Sequence, residues 1–323
     1  MPDVRAIAFP NADGRTLFGT LHVPRSRRPE LPAVILFSPG AKMRVGPGRL
    51  YVPLTEVLNS LGYLVLRYDF YGLGDSEGEL DETLLVDVYS NIQVGRYVSD
   101  GQMAIDWLRR EYGASRFIVG GLCGGALTGL LVAEREPSVE ALLSIGMTVT
   151  LDSDSATPSK YLTQFELAHL RQGYIAKLLD PRAWLRLLTF RSDFGVIVRS
   201  MLSGLTTKRP SAASGFAPQA GEEPAAASLP REQLANVNPL FPTAFFAFLG
   251  RGGRALMVFS EKDRMLGDWR EKFVDLYPEQ MRRFAPQVTE HVVPGANHVL
   301  SERAWQQEMH AAAQTWLGAL PRP

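Results

Sequence analysis

The sequence predicts an α/β fold: a mostly parallel sheet covered on both faces by helices, with a helical segment inserted in the second half of the chain. Three observations carry this. Six short runs are almost wholly apolar, the pattern of strands buried on both faces. Stretches of helical period alternate with them, as in right-handed crossovers between parallel strands. One interval, 151–245, breaks the alternation.

The elements follow in order. "VRAIAFPNADGRTLFGTLHVP" alternates on either side of Asp13-Gly14 and predicts an antiparallel hairpin. "AVILFSPG" (33–40) is the first buried strand and "YVPLTEVLNSLG" (51–62) the helix after it. "LVLRYDF" (64–70) is a strand, "RYVSDGQMAIDWLRREYG" (96–113) a helix, and "RFIVGGL" (116–122) the next strand. "GALTGLLVAERE" (125–136) is a helix and "EALLSIGMT" (140–148) a strand. Beyond the interruption, "RALMVFS" (254–260) and "TEHVVPG" (289–295) are strands, and "SERAWQQEMHAAAQTWLGAL" (301–320) closes the chain as a helix.

The interrupting interval reads as a lid. "YLTQFELAHLRQGYIAKLL", "DPRAWLRLLTF" and "FGVIVRSMLSGL" are helix-like and aromatic-rich, and Asp180-Pro181 suits an N-cap and first turn. Residues 206–233 are dominated by Ala, Ser, Pro and Gly, which bury little, and predict a flexible loop. The expected organisation is a core of 1–150, a lid of 151–245, and a second core portion of 246–323.

Thirty-four basic residues balance thirty-four acidic ones, which argues against nucleic acid or an anionic membrane as partner. A single cysteine forms no intrachain disulfide. No apolar run is long enough for a membrane span, and "MPDVRAIAFP" lacks a signal-peptide pattern, so a cytoplasmic location is expected.

That cysteine lies in Gly121-Leu122-Cys123-Gly124-Gly125, which matches the Gly-x-nucleophile-x-Gly elbow with cysteine in the serine position. The sharp strand-to-helix turn needs glycines beside it, and the helix N-terminus favours a thiolate. A small packed cysteine would also fit such a junction. His298, after the last strand, and Asp263, after the one before it, complete the chain order nucleophile, acid, histidine. Asp152 and Asp154 are the alternative source of the acid. His22, His169, His291 and His310 read as structural or solvent-exposed.

With the elbow and this order in place, the chain resembles the α/β-hydrolase superfamily over nearly its whole length outside the lid. "YDFYGLGDSEG" (68–78) resembles that family's Asp-x-x-Gly-x-Gly-x-Ser loop through Asp69, Gly72, Gly74 and Ser76. "FSPGAK" (37–42) stands where the family has His-Gly, with Pro39 in the histidine position. The resemblance implies an oxyanion hole built from the backbone N–H groups of Ala41 and Gly124. More narrowly, the cysteine elbow with "NHVLSERAWQQEMHAAAQTWL" resembles an exosortase-associated hydrolase-like group.

The expected chemistry is hydrolysis of a small-molecule ester or thioester through a Cys123-acyl intermediate. The adduct would itself be a thioester, so transfer to an acyl carrier protein thiol, from a CoA thioester, or to a small acceptor is the alternative. A catalytically inactive binding protein on the same fold is a third reading, prompted by Pro39. Tyr161, Phe165 and Trp184 could line an acyl pocket, though at helical spacing they also suit plain packing. Lys42, Arg44 and Arg49 read as solvated loop charges. No metal-ligand spacing appears, and no cofactor is expected.

Overall fold

The computed structural model describes residues 3–82, 85–151 and 236–321. The predicted lid helices, the 206–233 loop, and Asp152, Asp154, Tyr161, Phe165, His169 and Trp184 lie outside the described residues.

Eight strands form one sheet: β1 (Asp3–Pro10), β2 (Thr16–Val23), β3 (Ala33–Phe37), β4 (Val65–Tyr68), β5 (Phe117–Leu122), β6 (Val139–Ile145), β7 (Arg254–Ser260) and β8 (Val288–Val293). Their spatial order is β1-β2-β4-β3-β5-β6-β7-β8. β2 runs antiparallel to both β1 and β4, and every other pairing is parallel. Each apolar run of the sequence is one of these strands, and β3, β4 and β5 are buried at every position.

The two faces are separated by the period-2 alternation of strand side chains. Val34, Leu36, Ile118, Leu143 and Val258 share a core with α1 (Tyr51–Ser60) and the C-terminal helix Arg303–Ala319. Ile35, Phe37, Val119 and Leu142 pack on the opposite side with α3 (Val98–Tyr112) and α4 (Gly124–Arg135). Between β4 and α3 lies α2 (Leu85–Gln93), absent from the sequence reading. Among the described residues no helix is long and apolar enough to cross a membrane.

The expected end of the insertion needs correction. Residues 240–245, assigned to the lid, begin α5 (Leu240–Gly250), a helix of the core. Phe241, Phe245 and Phe248 are fully buried, and the first two pack edge-on against Trp269 and Phe273. The run "LFPTAFFAFLG" is apolar on all sides, so periodicity alone does not place it. Leu151 and Asn236, the described residues on either side of 152–235, lie side by side. Leu151 N–H donates to Asn236 C=O (2.8 Å) and Asn238 N–H to Val149 C=O (2.9 Å). After β7 come α6 (Arg264–Trp269), a π turn (Arg270–Val274) and α7 (Pro278–Phe284); the C-terminal helix is α8.

Arg44 also departs from expectation. It is not a solvated charge: its guanidinium pairs with the fully buried Asp69 and with Asp75 (2.7 Å), and its N–H donates to Asp69 Oδ1 at 2.6 Å. Beneath it lies buried Arg67, which donates to Arg44 C=O (3.1 Å) and to His22 Nε2 (2.9 Å). Lys42 and Arg49 remain exposed. The Asp69–Ser76 loop is structural, its Ser76 hydroxyl donating to Asp69 C=O (2.6 Å) and accepting from Phe18 N–H (2.9 Å).

Candidate active site

β5 is flanked by β3 and β6, so the turn after Leu122 opens at the carboxyl end of the sheet centre. Cys123 occupies that turn with φ 54° and ψ −118°, a conformation L-residues rarely adopt. Its backbone is locked on both sides. The N–H donates to Ile145 C=O (2.9 Å), and the C=O accepts from Leu127 N–H (3.1 Å) inside α4. The side chain is partly exposed.

The glycines permit this geometry by what they lack. A Cβ on Gly125 would lie 2.5 Å from Phe37 O and 2.7 Å from Ser38 O, both backbone atoms. A Cβ on Gly124 would lie 3.1 Å from Gly40 Cα. The start of α4 therefore packs directly on the Ser38–Ala41 loop. Gly40 makes that loop's bend with φ 58°, and Ala41 is half-buried beside it.

Asp263 and His298 converge on the same strand ends. Asp263 caps the N-terminus of α6, accepting the Met265 N–H on Oδ1 (3.3 Å). Its other oxygen, Oδ2, meets Nδ1 of His298 at 2.5 Å. His298 sits on the turn between β8 and α8, and the Cys123 side chain is among the neighbours that favour its charged form. With Nδ1 engaged by Asp263, Nε2 is the nitrogen left for the sulfur. Burial alone would lower the imidazole pKa, but the hydrogen-bonded Asp263 carboxylate, with Cys123 adding to it, outweighs burial and raises the value to about 10. His298 is accordingly held as an imidazolium at neutral pH.

Room for the imidazole comes from Gly146, where β6 ends with φ 51°. A Cβ there would touch both His298 and Asp263 at 3.4 Å. Sequence reading missed this residue; its only signal is a glycine directly after an apolar strand. It also missed Tyr51, the first residue of α1, whose hydroxyl donates to Phe37 C=O (2.9 Å) and accepts Leu122 N–H (2.5 Å).

The structure thus brings together Cys123, His298 and Asp263, with Gly124 and the Gly40–Ala41 turn alongside. The remaining described histidines lie elsewhere. His22 is buried against Arg67, His291 faces Glu308 at 3.4 Å, and His310 is buried on α8. Among the described residues no group of three or more His, Cys, Asp or Glu side chains could hold a metal ion.

The model of the Alpha/beta hydrolase family matches residues 35–312. Monoglyceride lipase of Mus musculus is 33% identical over 170 residues, 51% of this chain and 52% of that protein. Monoglyceride lipase of Homo sapiens is 33% identical over 153 residues, 47% of this chain and 46% of that protein. The chain spans about half the length of the curated relatives it matches. Among solved structures, the Pyrococcus furiosus esterase Pf2001 superposes with a TM-score of 0.55 at 14% identity, covering 98% of this chain and 93% of that one. The structure of DcsB in complex with its substrate analogue gives 0.56 at 12% identity, covering 98% of each chain. At such identities the likeness is one of fold.

Proposed function

The chain belongs to the alpha/beta hydrolase family, and from that premise we propose that it hydrolyses an ester or thioester through a covalent Cys123-acyl intermediate. One observation carries the reading: a carboxylate hydrogen-bonded to an imidazole stands beside the elbow that bears the chain's sole thiol. The monoglyceride lipases among the similar proteins support an ester as substrate.

In the proposed mechanism the attacking species is the Cys123 sulfur with its proton held by His298. The sulfur attacks the carbonyl carbon, a C–S bond forms, and the carbonyl π pair moves onto oxygen. The N–H groups of Ala41 and Gly124 are the proposed oxyanion donors, each worth about 3–4 kcal/mol of barrier. The pair then returns, the bond to the leaving group breaks, and the His298 proton goes to the departing oxygen or sulfur. Neutral His298 next takes a proton from water as that water attacks the thioester. Collapse of the second adduct releases the acid and restores the ion pair. Asp263 holds the ring in register throughout.

A thioester intermediate keeps enough group-transfer potential to acylate a second acceptor, so a carrier-protein or small-molecule thiol in place of water is the second reading. The site's use of cysteine favours it.

Two measurements test the proposal. Iodoacetamide should alkylate Cys123 in the native protein and abolish turnover of an aryl ester or thioester. Cys123→Ala should reduce kcat by roughly 10³-fold or more; wild-type turnover in that variant would end the reading. Intact mass after exposure to acyl donor separates the two fates: rapid discharge in buffer marks hydrolysis, whereas an adduct lost only on adding a thiol acceptor marks transfer.

A further inference from the structure

We infer that Tyr51 is a positioning residue for the oxyanion pocket: its buried hydroxyl sets the spacing between the Gly40–Ala41 turn and the Cys123 elbow. The inference rests on the function proposed above.

The hydroxyl sits where two parts of the pocket separate. β3 and β5 are paired up to Phe37 opposite Gly121. Beyond that rung one chain turns through Ser38, Pro39 and Gly40 to Ala41, and the other turns at once into Cys123 and α4. Tyr51 Oη accepts the Leu122 N–H at 2.5 Å and donates to Phe37 C=O at 2.9 Å. It holds one atom on each side of the divergence, four residues from Ala41 on one side and two from Gly124 on the other.

The same residue also closes the loop that carries Ala41. That loop leaves β3 at Phe37 and ends at Tyr51, whose N–H donates to Val45 C=O at 3.2 Å. The Tyr51 side chain then returns to Phe37, so both ends of the loop are tied to one rigid ring. Bare backbone surrounds it: a Cβ on Gly121 would lie 3.0 Å from the hydroxyl and 2.8 Å from Phe37 O.

Neither filling space nor satisfying the two peptide groups accounts for the hydroxyl. A phenylalanine would fill nearly the same volume. The ladder that begins with Ala33 N–H on Arg116 C=O brings Phe37 C=O and Leu122 N–H opposite each other without any side chain. What the hydroxyl adds is a third, directional partner at the rung. Tyr51 is fully buried, and burial pushes its pKa up, so the proton stays on oxygen to be donated.

The test is Tyr51→Phe, read by two reactions that share the sulfur and differ in the oxyanion. Alkylation by iodoacetamide displaces iodide and builds no negative oxygen; turnover of an aryl ester does. In Tyr51→Phe the ester kcat should fall about tenfold or more, as expected of misplaced donors, with KM within about twofold of wild type. The rate and pH profile of alkylation should stay those of the wild type. Thr55→Val, one turn along α1, removes a buried hydroxyl bonded to Tyr51 C=O (2.6 Å) and serves as the stability control. It should lower the melting temperature without lowering kcat. An unchanged kcat in Tyr51→Phe overturns the inference. So does alkylation slowing in step with kcat, or an equal kcat loss in Thr55→Val. Turnover that survives Cys123→Ala would instead sink the proposed function, an outcome no result at Tyr51 can mimic.

Discussion

Nδ1 of His298 and Oδ2 of Asp263 stand 2.5 Å apart although 35 residues separate them in the chain. Two loops accomplish this, one after β7 and one after β8, each anchored by main-chain bonds. Lys262 N–H on Ala296 C=O (3.0 Å) and Glu261 N–H on Val293 C=O (3.1 Å) tie the two loops together. The carboxylate is buried, while the imidazole is about one-third exposed.

That pair predicts a pH signature. Asp263→Asn removes the main contact opposing burial, so the His298 pKa should drop from about 10 toward and below its free value of about 6.5. In the proposed mechanism the alkaline limb of kcat/KM then moves to lower pH, and kcat falls by roughly 10³- to 10⁴-fold. Stability follows the same group. A folded pKa above the unfolded one contributes stability that is complete below about pH 6.5 and lost as pH rises through about 10. Thermal melts across that window should decline in the wild type and flatten in Asp263→Asn. An unmoved alkaline limb would show that the pair does not govern the histidine's charge.

At the other end of the scale, His22 has its pKa lowered to about 4, chiefly by burial and secondly by the Arg67 guanidinium that donates to it. Folded His22 is neutral and the unfolded chain's is not below about pH 6.5. Its contribution is therefore present above that pH and lost as pH falls through about 4, up to about 3 kcal/mol. Denaturant titrations between pH 7 and 4 should show stability falling, and His22→Gln should reduce that slope. Equal slopes in the two proteins would assign the acid sensitivity elsewhere.

Gly125 tests the packing of α4 on the Ser38–Ala41 loop. The methyl of Gly125→Ala meets two carbonyl groups at 2.5 and 2.7 Å, and neither can rotate away. The variant should lose about 3 kcal/mol or more, read as a lowered melting temperature, and folded protein should show reduced ester turnover. Wild-type melting and kcat together would mean that the approach is looser than these distances.

Much of the fold was legible because its signals are local. A strand buried on both faces must be apolar throughout, and a covering helix must be apolar on one stripe, so the strands β3 to β7 and the helices α1, α3, α4 and α8 declare themselves in composition and period. Where the local signal is ambiguous, reading failed. α5 is apolar on every side and resembled the insertion it follows, and α2 was passed over altogether. Arg44 looks like any loop arginine until Asp69 is folded beneath it.

The sequence by itself determined which chemistry-bearing groups the chain owns: one thiol in a glycine-flanked turn, with an aspartate and a histidine after two later strands. Tertiary structure alone decided their distances, the charge state of His298, the space left by Gly146 and the rung completed by Tyr51. The reason is physical. Periodicity and turn chemistry act over a few residues, whereas a hydrogen bond across 35 positions, or a hydroxyl reaching 71 positions to a peptide N–H, exists only once the sheet has closed the gap.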